Sequence, residues 1–173
     1  MTIATTIPTC RLRAMEPGDI DKIYLWENDP EVWRVSGTTA PLSLQRIAQF
    51  IEEQNYDLYA TRQMRLIIEC DGTAVGTLDI VDFDPQHLRF GIGILIYARE
   101  SRRKGYAHAA IEAIKNYARN TLVIKQIWVS IAADNRASIA LFEGCGFTLC
   151  GTRKAWLRTH QGYVDQLEYQ CVF

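Results

Sequence analysis

One segment near the middle of the chain constrains the fold more than any other. Residues 89–97 (Arg-Phe-Gly-Ile-Gly-Ile-Leu-Ile-Tyr) are almost continuously apolar, which predicts a buried strand. A short basic turn follows, Glu100-Ser-Arg-Arg-Lys-Gly105, and apolar residues then recur at helical spacing from Tyr106 to Ala118. The sequence therefore predicts a strand, a tight turn and a helix in immediate succession.

The turn in this segment has the chemistry of a phosphate-binding site. Gly105 and the small Ala107 let the backbone approach a ligand closely, and the first amides of the helix point outward with the positive end of the helix dipole behind them. Arg102, Arg103 and Lys104 add positive charge at the same place. We expect a pyrophosphate to bind here, and the alternative is a solvated helix start.

The strand, the R-x-x-G-x-A turn and the helix together resemble the coenzyme A motif of the GCN5-related N-acetyltransferases, the GNAT superfamily. A second segment, Asp134 to Phe147, resembles that family's N-x-x-(A/S)-x-x-(L/I)-(Y/F)-x-x-x-G-F helix and follows in the family's order. The resemblance is greatest to the branch that holds the ribosomal-protein-alanine and the spermidine/diamine N-acetyltransferases. It implies an α/β fold with a mixed, mostly antiparallel central sheet and helices on both faces.

The rest of the sequence is compatible with one domain over residues 1–173, since 48% of the residues are hydrophobic. Segment 28–41 is interrupted by glycine and proline, and we expect a functional loop there. Asp19 is expected to cap the first helix. The other predicted elements are a strand at 10–15, helices at 19–27 and from Ser43, a hairpin of 65–70 and 73–81 around Asp71-Gly72, a strand at 126–131, a helix at 135–145, and strands at 147–157 and 163–173.

Composition excludes several classes of function. A formal net charge of −1 argues against a nucleic-acid partner. No signal peptide or membrane-spanning run is visible, so we expect no membrane partner and a cytoplasmic location; a homo-oligomer is compatible with the sequence. The cysteines form no C-x-x-C pair, and we expect reduced thiols and no metal site. They are Cys10, Cys70, Cys145, Cys150 and Cys171.

The family resemblance implies acetyl-CoA as co-substrate and direct attack by a primary amine in a ternary complex. The amine belongs to a small molecule, a polyamine or a protein N-terminus. Asn135 either contacts the cofactor or caps its helix, and one side chain is able to do both. The pantetheine arm is expected along Leu95, Ile96 and Tyr97, and the pyrophosphate at Arg102, Arg103, Lys104, Gly105, Tyr106, Ala107 and His108.

The acid and the base are where this sequence departs from its relatives. Polyamine acetyltransferases carry a glutamate on the strand where this chain has Ile92, and the ribosomal-protein branch carries one near Leu157. The frequent tyrosine acid is replaced by Phe142. Ser138 is the leading substitute acid, or else a small packing residue. Asp82 is the first candidate base, and Asp79, Asp84 and Asp165 are the others.

Two rival functions stay open at this point. The missing glutamate and tyrosine are compatible with a non-catalytic acyl-CoA-binding module, and the basic turn alone is compatible with another nucleotide. In the enzyme hypothesis, the amine enters between segments 28–41 and 157–163. The acidic side chains expected nearby are Glu27, Asp29 and Glu31, and the aromatic side chains that form either entrance walls or core are Trp26, Trp33, Trp156 and Tyr163.

Overall fold

A computed structural model describes residues 8–36, 38–54, 56–97 and 99–173. Within these residues, seven strands form one sheet and six α-helices accompany it. The strands are β1 Cys10–Arg13, β2 Met64–Cys70, β3 Thr73–Asp84, β4 Arg89–Ile96, β5 Gln126–Ala132, β6 Thr148–Thr159 and β7 Gly162–Val172. The helices are α1 Ile20–Glu27, α2 Pro30–Ser36, α3 Leu44–Glu52, α4 Leu58–Thr61, α5 Tyr106–Asn120 and α6 Arg136–Gly144, and short 3-10 turns lie at Pro17–Asp19 and Arg99–Ser101.

The sheet confirms the predicted architecture. Its strand order is β1-β2-β3-β4-β5-β7-β6, and all neighbours are antiparallel except the parallel pair β4 and β5. The β2–β3 turn has Asp71 and Gly72 at φ 50° and 75°, the left-handed conformations that a tight hairpin turn requires. The predicted Asp-Gly turn is therefore confirmed.

Helices cover both faces of the sheet, because the apolar residues of the strands divide into two cores. On one face, Ala110, Ile111 and Ile114 of α5 pack with Ile80 and other strand residues. On the other face, Ile23 of α1 and Ile47 of α3 pack with Ile67 of β2. No helix among the described residues is long and apolar enough to cross a membrane.

Three local expectations were wrong. Segment 28–41 is not simply a loop, because Pro30 supplies the fixed φ of a helix start and α2 extends to Ser36. Asp19 does not cap α1 with its side chain; it accepts instead from the Glu16 amide and from the Arg13 guanidinium. Cys10 and Cys70 are opposite residues of β1 and β2 and form a disulfide, whereas Cys145, Cys150 and Cys171 are free thiols as expected.

Candidate active site

A wedge-shaped gap opens between β4 and β5. The two strands pair only where Arg89–Gly91 face Gln126–Trp128. Beyond that point β4 pairs only with β3, as far as Ile96, and β5 pairs only with β7. The facing edges from Ile92 and Val129 onward therefore present strand backbone to the gap, where an extended ligand with its own amides can bond in place of a strand.

The turn after β4 has the conformation that its glycine predicted. Gly105 is the N-cap of α5, with φ at +80°, and the Ala109 amide donates to its carbonyl to begin the helix. The amides of Tyr106, Ala107 and His108 precede the first intrahelical bond, so they remain available to an anion. Arg103, Lys104 and Gly105 are exposed around them. We call residues 99–105 the cofactor turn.

Arg102 has a different position from the one its charge predicted. Its Nε donates to the Ile96 carbonyl at 3.1 Å, and its Nη2 donates to the Tyr97 carbonyl at 3.0 Å. The guanidinium therefore ties the cofactor turn to the end of β4. In this conformation two of its donors are committed to the backbone.

The cofactor turn also rests on the β1–β2 edge of the sheet. A Cβ built on Gly105 meets Pro8 Cδ at 3.4 Å. The Tyr106 hydroxyl donates to Asp71 Oδ2 at 3.1 Å, which raises the pKa of that phenol. Because Pro8 lies beside Gly105 and Tyr106 bonds to the hairpin turn, the cofactor turn is positioned by tertiary structure as well as by its own glycine.

Two glycines of β4 lie on the face of the sheet that carries α1. A Cβ on Gly91 is placed 2.6 Å from Trp128 Cζ2, so the indole lies directly over that glycine. Gly93 pairs with Asp79, whose Cβ is the only neighbour within 4 Å of a Cβ built there. On this face, the gap therefore begins beside the Trp128 ring and next to two β4 positions that carry no side chain.

Ile92 points to the opposite face. It is 4% exposed and packs in the core that contains α5, with Ile80 as its strand partner. A glutamate at this position would be buried under α5. Gly91 and Gly93, on either side of Ile92, face the α1 side of the sheet instead.

A buried group of charges lies on the α1 face, beside Gly93. The Arg65 guanidinium makes a two-pronged ion pair with Asp79, at 2.6 and 2.9 Å, and donates to Glu27 Oε1 at 2.8 Å. The Tyr97 hydroxyl donates to the same Glu27 oxygen at 3.1 Å, and its ring stacks on Trp26 with centroids 4.6 Å apart. We call Glu27, Arg65, Asp79 and Tyr97 the charged cluster.

The charged cluster raises the pKa of both Arg65 and Tyr97. Burial alone lowers the pKa of Arg65, but the carboxylates of Asp79 and Glu27 outweigh that effect and leave the pKa above its ordinary value. Burial and the neighbouring Glu27 charge raise the pKa of Tyr97, which therefore stays a neutral donor. Two carboxylates share one guanidinium, so the cluster has a net negative charge.

A cavity of about 500 Å³ adjoins the charged cluster and lies between α1, α3 and strands β2 and β3. Its lining combines aliphatic and aromatic surface with acidic and basic groups. The residues that line it are Ile23, Glu27, Leu42, Arg46, Ile47, Phe50, Glu53, Gln54, Thr61, Gln63, Met64, Arg65, Asp79, Ile80 and Val81. Val81 pairs with Gly91, so the cavity ends one strand away from the narrow end of the gap.

The four aspartates proposed as bases separate in the structure. Asp79 is held by Arg65, Asp84 is paired with Arg89, and Lys154 lowers the pKa of Asp165 by its hydrogen bond. Asp82 is exposed at φ 49°, in the bulge that shifts the β3–β4 register between Val81 and Asp84. Among the four, Asp82 alone makes no ion pair or hydrogen bond with the described residues.

The second motif forms α6 as predicted. Asn135 is its N-cap, and its side-chain oxygen accepts from the Ser138 amide at 3.1 Å, so the capping role is present. Ser138 is half-buried in the first turn of the helix. Phe142 is 2% exposed and packs edge-on against Phe147, which makes it a core residue.

The four aromatic residues considered as entrance walls also separate. Trp26 stacks on Tyr97, and the Trp33 Nε1 donates to the Glu27 carbonyl at 2.7 Å, so both support the charged cluster. Trp156 and Tyr163 are 56% and 66% exposed on the β6–β7 hairpin. Sequence periodicity did not predict the role of Arg65, because its partners come from α1 and β3.

The sequence matches the acetyltransferase (GNAT) domain family over residues 10–148. The chain belongs to this family. The spermidine N(1)-acetyltransferase of Escherichia coli K12 is 22% identical over 141 residues, which are 82% of this chain and 74% of that protein.

Solved GNAT structures show the same fold. The spermidine N-acetyltransferase of Vibrio cholerae, in complex with CoA and spermine, superposes with a TM-score of 0.81 at 21% identity and covers 94% of this chain and 95% of that one. A dodecameric structure of the same Vibrio cholerae enzyme gives a TM-score of 0.74 at 22% identity, with 94% and 93% covered.

Family membership settles the class of reaction. The protein is an N-acetyltransferase that uses acetyl-CoA and acts on a primary amine, as the resemblance implied. The non-catalytic module is not favoured.

Proposed function

We propose that the acceptor is a small linear polyamine and that the protein acetylates one of its terminal primary amines. The observation that carries this proposal is the cavity beside the charged cluster, which combines an apolar channel with net negative charge. Leu42, Ile47 and Phe50 offer surface to methylene groups, while the carboxylates attract ammonium groups. The spermidine acetyltransferases among the relatives support the same choice.

The charge balance favours an acceptor with a second cationic nitrogen. The attacking amine must be neutral, so its nitrogen carries no positive charge that could pair with the negative charge of the cavity. The lining holds the carboxylates of Glu27, Glu53 and Asp79 against the guanidiniums of Arg46 and Arg65. One net negative charge remains, and it suits an ammonium group separated from the reacting amine by a short methylene chain.

Matched amines test this proposal. We expect kcat/KM for 1,4-diaminobutane and spermidine to exceed that for n-butylamine by at least ~10-fold, since butylamine lacks only the second ammonium. A peptide with a free N-terminus is the third arm of the comparison. Equal rates for diamine and monoamine, or a clear preference for the peptide, would contradict the polyamine assignment.

Neighbouring glutamates on one helix end provide a control. Glu53 lines the cavity and Glu52 does not, although both are exposed. Glu53→Gln removes the net negative charge, so we expect it to lower the diamine-to-monoamine ratio several-fold, with KM affected more than kcat. Glu52→Gln is expected to leave the ratio unchanged.

For the cofactor, we propose the binding mode that the motif implies. The pantetheine arm lies along the backbone of Leu95, Ile96 and Tyr97, and the pyrophosphate bonds to the amides of Tyr106, Ala107 and His108 at the open end of α5. Arg103 and Lys104 add charge, Gly105 allows the approach, and Arg102 holds the turn in place. In addition to its capping bond, Asn135 contacts the cofactor.

For the chemistry, we propose Asp82 as the base and Ser138 as the acid. The amine nitrogen attacks the thioester carbonyl, the C–N bond forms, the C–S bond breaks, and the coenzyme A thiolate takes a proton from Ser138, whose hydroxyl then regains a proton from water. The amine proton passes to Asp82 directly or through water. An alkyl amine of pKa ~10.4 is almost fully protonated at neutral pH, so proton removal is a substantial part of the barrier.

The pH–rate profile tests this assignment. If Asp82 accepts the proton, kcat/KM levels off at the same pH for an α-amine of pKa ~7.8 and an alkyl amine of pKa ~10.4, and Asp82→Asn removes that plateau. If each profile follows its own substrate instead, the proton leaves to solvent and Asp82 is not the base. An unchanged plateau in Asp82→Asn would move the role to Asp165.

We also propose that the protein forms a homo-oligomer, as its dodecameric relative does. β6 is an edge strand of the sheet, and Leu149 and Trp156 on it are more than half exposed. Such an edge favours pairing with a second copy. Light scattering after size exclusion gives the subunit number, and a monomer at micromolar concentration would contradict this part of the proposal.

A further inference from the structure

Three unlike metal-binding side chains meet behind the cofactor turn. His108 and Glu112 are on α5, and Cys145 follows α6. A ring nitrogen, a carboxylate oxygen and the thiol sulfur of these residues all lie within 4.8 Å of one another. Their surroundings differ, since Cys145 is buried, His108 is half-buried and Glu112 is exposed, so the group is open to solvent on one side.

Helix geometry explains how two of the groups come together. Residues four apart lie on the same face of an α-helix, so His108 and Glu112 project side by side from the first two turns of α5. Cys145 comes from a different element and approaches that face from the end of α6. The sequence spacing gives no sign of this arrangement, because 33 positions separate the cysteine from Glu112.

We propose that His108, Glu112 and Cys145 form a zinc-binding site. Imidazole, thiolate and carboxylate are the ligands that zinc prefers in proteins, and three of them leave a fourth tetrahedral position for water. Zinc-bound atoms in a tetrahedron lie about 3.5 Å apart. The present separations of up to 4.8 Å would close to that value by rotation of the exposed Glu112 side chain and the imidazole.

Lys115 places a positive charge beside the proposed site, and this charge repels a metal cation. Its Nζ donates to Glu112 Oε1 at 2.7 Å and to the Cys145 carbonyl at 2.8 Å. When Glu112 turns to the zinc, Lys115 keeps the carbonyl as its partner, so no buried donor is left without a bond. Its positive charge nevertheless weakens metal binding, and we expect Lys115→Met to tighten it several-fold.

The thiol must lose its proton when the metal binds. Burial raises the pKa of the Cys145 thiol to about 11, so at neutral pH the group is protonated in the free protein. Zinc replaces this proton: the S–H bond breaks, the Zn–S bond forms, and one proton goes to solvent.

Cobalt(II) is a direct probe of the thiolate, because a cobalt–thiolate bond gives a charge-transfer band in the near ultraviolet. We expect the band in the wild-type protein purified without coenzyme A or thiol reductants, its decay on addition of zinc, and one zinc per chain by equilibrium dialysis. Cys145→Ser should abolish the band, and His108→Ala should weaken zinc binding by at least ~10-fold. The control variants Cys150→Ser and His87→Ala change an exposed residue of the same type outside the site.

Because Cys145 is buried, its variant has to be shown to fold by circular dichroism, and Glu112→Gln provides an independent test at an exposed position. Weaker zinc binding by Glu112→Gln supports the site. Absence of a thiolate band in the wild type, or a band of equal strength in folded Cys145→Ser, would overturn it. These readouts do not depend on acetyl transfer, and the pyrophosphate proposal uses the His108 backbone amide rather than its side chain.

Discussion

The cofactor turn and the charged cluster adjoin the same strand, β4, but they are built from different kinds of groups. The turn consists of helix-start amides and a glycine at positive φ, and its side chains are mostly exposed. The charged cluster consists of side chains from α1, β2, β3 and the end of β4, which are joined through one guanidinium.

Because of this difference, the two regions are disrupted by different kinds of substitution. A backbone site depends on dihedral angles and on the absence of a Cβ, so it is sensitive to a single steric change and insensitive to the protonation of side chains. A buried ion network depends on every partner being present, since removal of one leaves the others desolvated and unpaired. The four predictions below use that contrast, in order of decreasing effect.

The largest effect is expected from Arg65→Met. It leaves Glu27 and Asp79 without their shared cation, and their side chains are only 10% and 29% exposed. Removing one partner of a fully buried pair costs 3–5 kcal/mol, and the partial exposure here reduces the expected loss to about 2–3 kcal/mol of unfolding free energy. Urea denaturation at neutral pH measures this loss.

Arg46→Met is the matched control, because Arg46 lines the same cavity but is exposed, and within the described part of the chain its guanidinium donates only to Gln49. We expect it to change stability by less than ~0.5 kcal/mol. Coenzyme A affinity of folded Arg65→Met should stay within a few-fold of wild type. A parallel loss of coenzyme A affinity would mean that the two regions are not independent.

The second prediction concerns Gly105→Val. Valine disfavours a φ of +80°, so the cofactor turn has to shift to accommodate it. We expect coenzyme A to bind at least ~10-fold more weakly, with the domain still folded. Gly144→Ala is the control, since nothing lies within 4 Å of a Cβ built at that glycine. Unchanged affinity in folded Gly105→Val would remove the cofactor turn from the binding site.

The same contrast decides what the sequence was able to predict. The strand, the cofactor turn and α5 were predictable because glycine at a helix start and an apolar run each have a local physical cause. The Asp71-Gly72 turn and the Asn135 cap are local in the same sense, and both are confirmed.

The charged cluster was not predictable by such reasoning. Arg65 appears in the sequence as one polar residue in a strand, and its carboxylate partners lie 38 and 14 positions away. The sequence also did not show which face of the sheet each β4 side chain occupies. Successive strand residues point to opposite faces, so buried Ile92 and its neighbours Gly91 and Gly93 lie on different sides. The Cys10–Cys70 disulfide depends likewise on the β1–β2 register, which composition alone does not contain.

The third prediction compares two residues of the first turn of α6. If Ser138 donates the proton to the departing thiolate, Ser138→Ala lowers kcat by ~10-fold and leaves coenzyme A affinity within a few-fold. Asn135→Ala removes the cap and is expected to cost ~1 kcal/mol of stability. If Ser138→Ala instead loses stability and keeps its turnover, the serine is a packing residue and the thiolate leaves unaided.

The smallest effect concerns the attachment of α1, which carries Glu27, to the edge of the sheet. Arg13 bonds Asp19 at 2.7 and 2.8 Å and holds the pKa of that carboxyl below its ordinary value. A depressed folded-state pKa contributes stability that is fully present above the unfolded pKa of ~3.9 and is lost as the pH falls through the folded value. Asp19→Asn should therefore be about 1 kcal/mol less stable than wild type at pH ~7, with the difference shrinking below pH ~4. Asp21→Asn, an exposed change on the same helix, should show no such convergence. If the Asp19 difference stays constant down to pH ~2.5, the ion pair does not set the acid stability of this region.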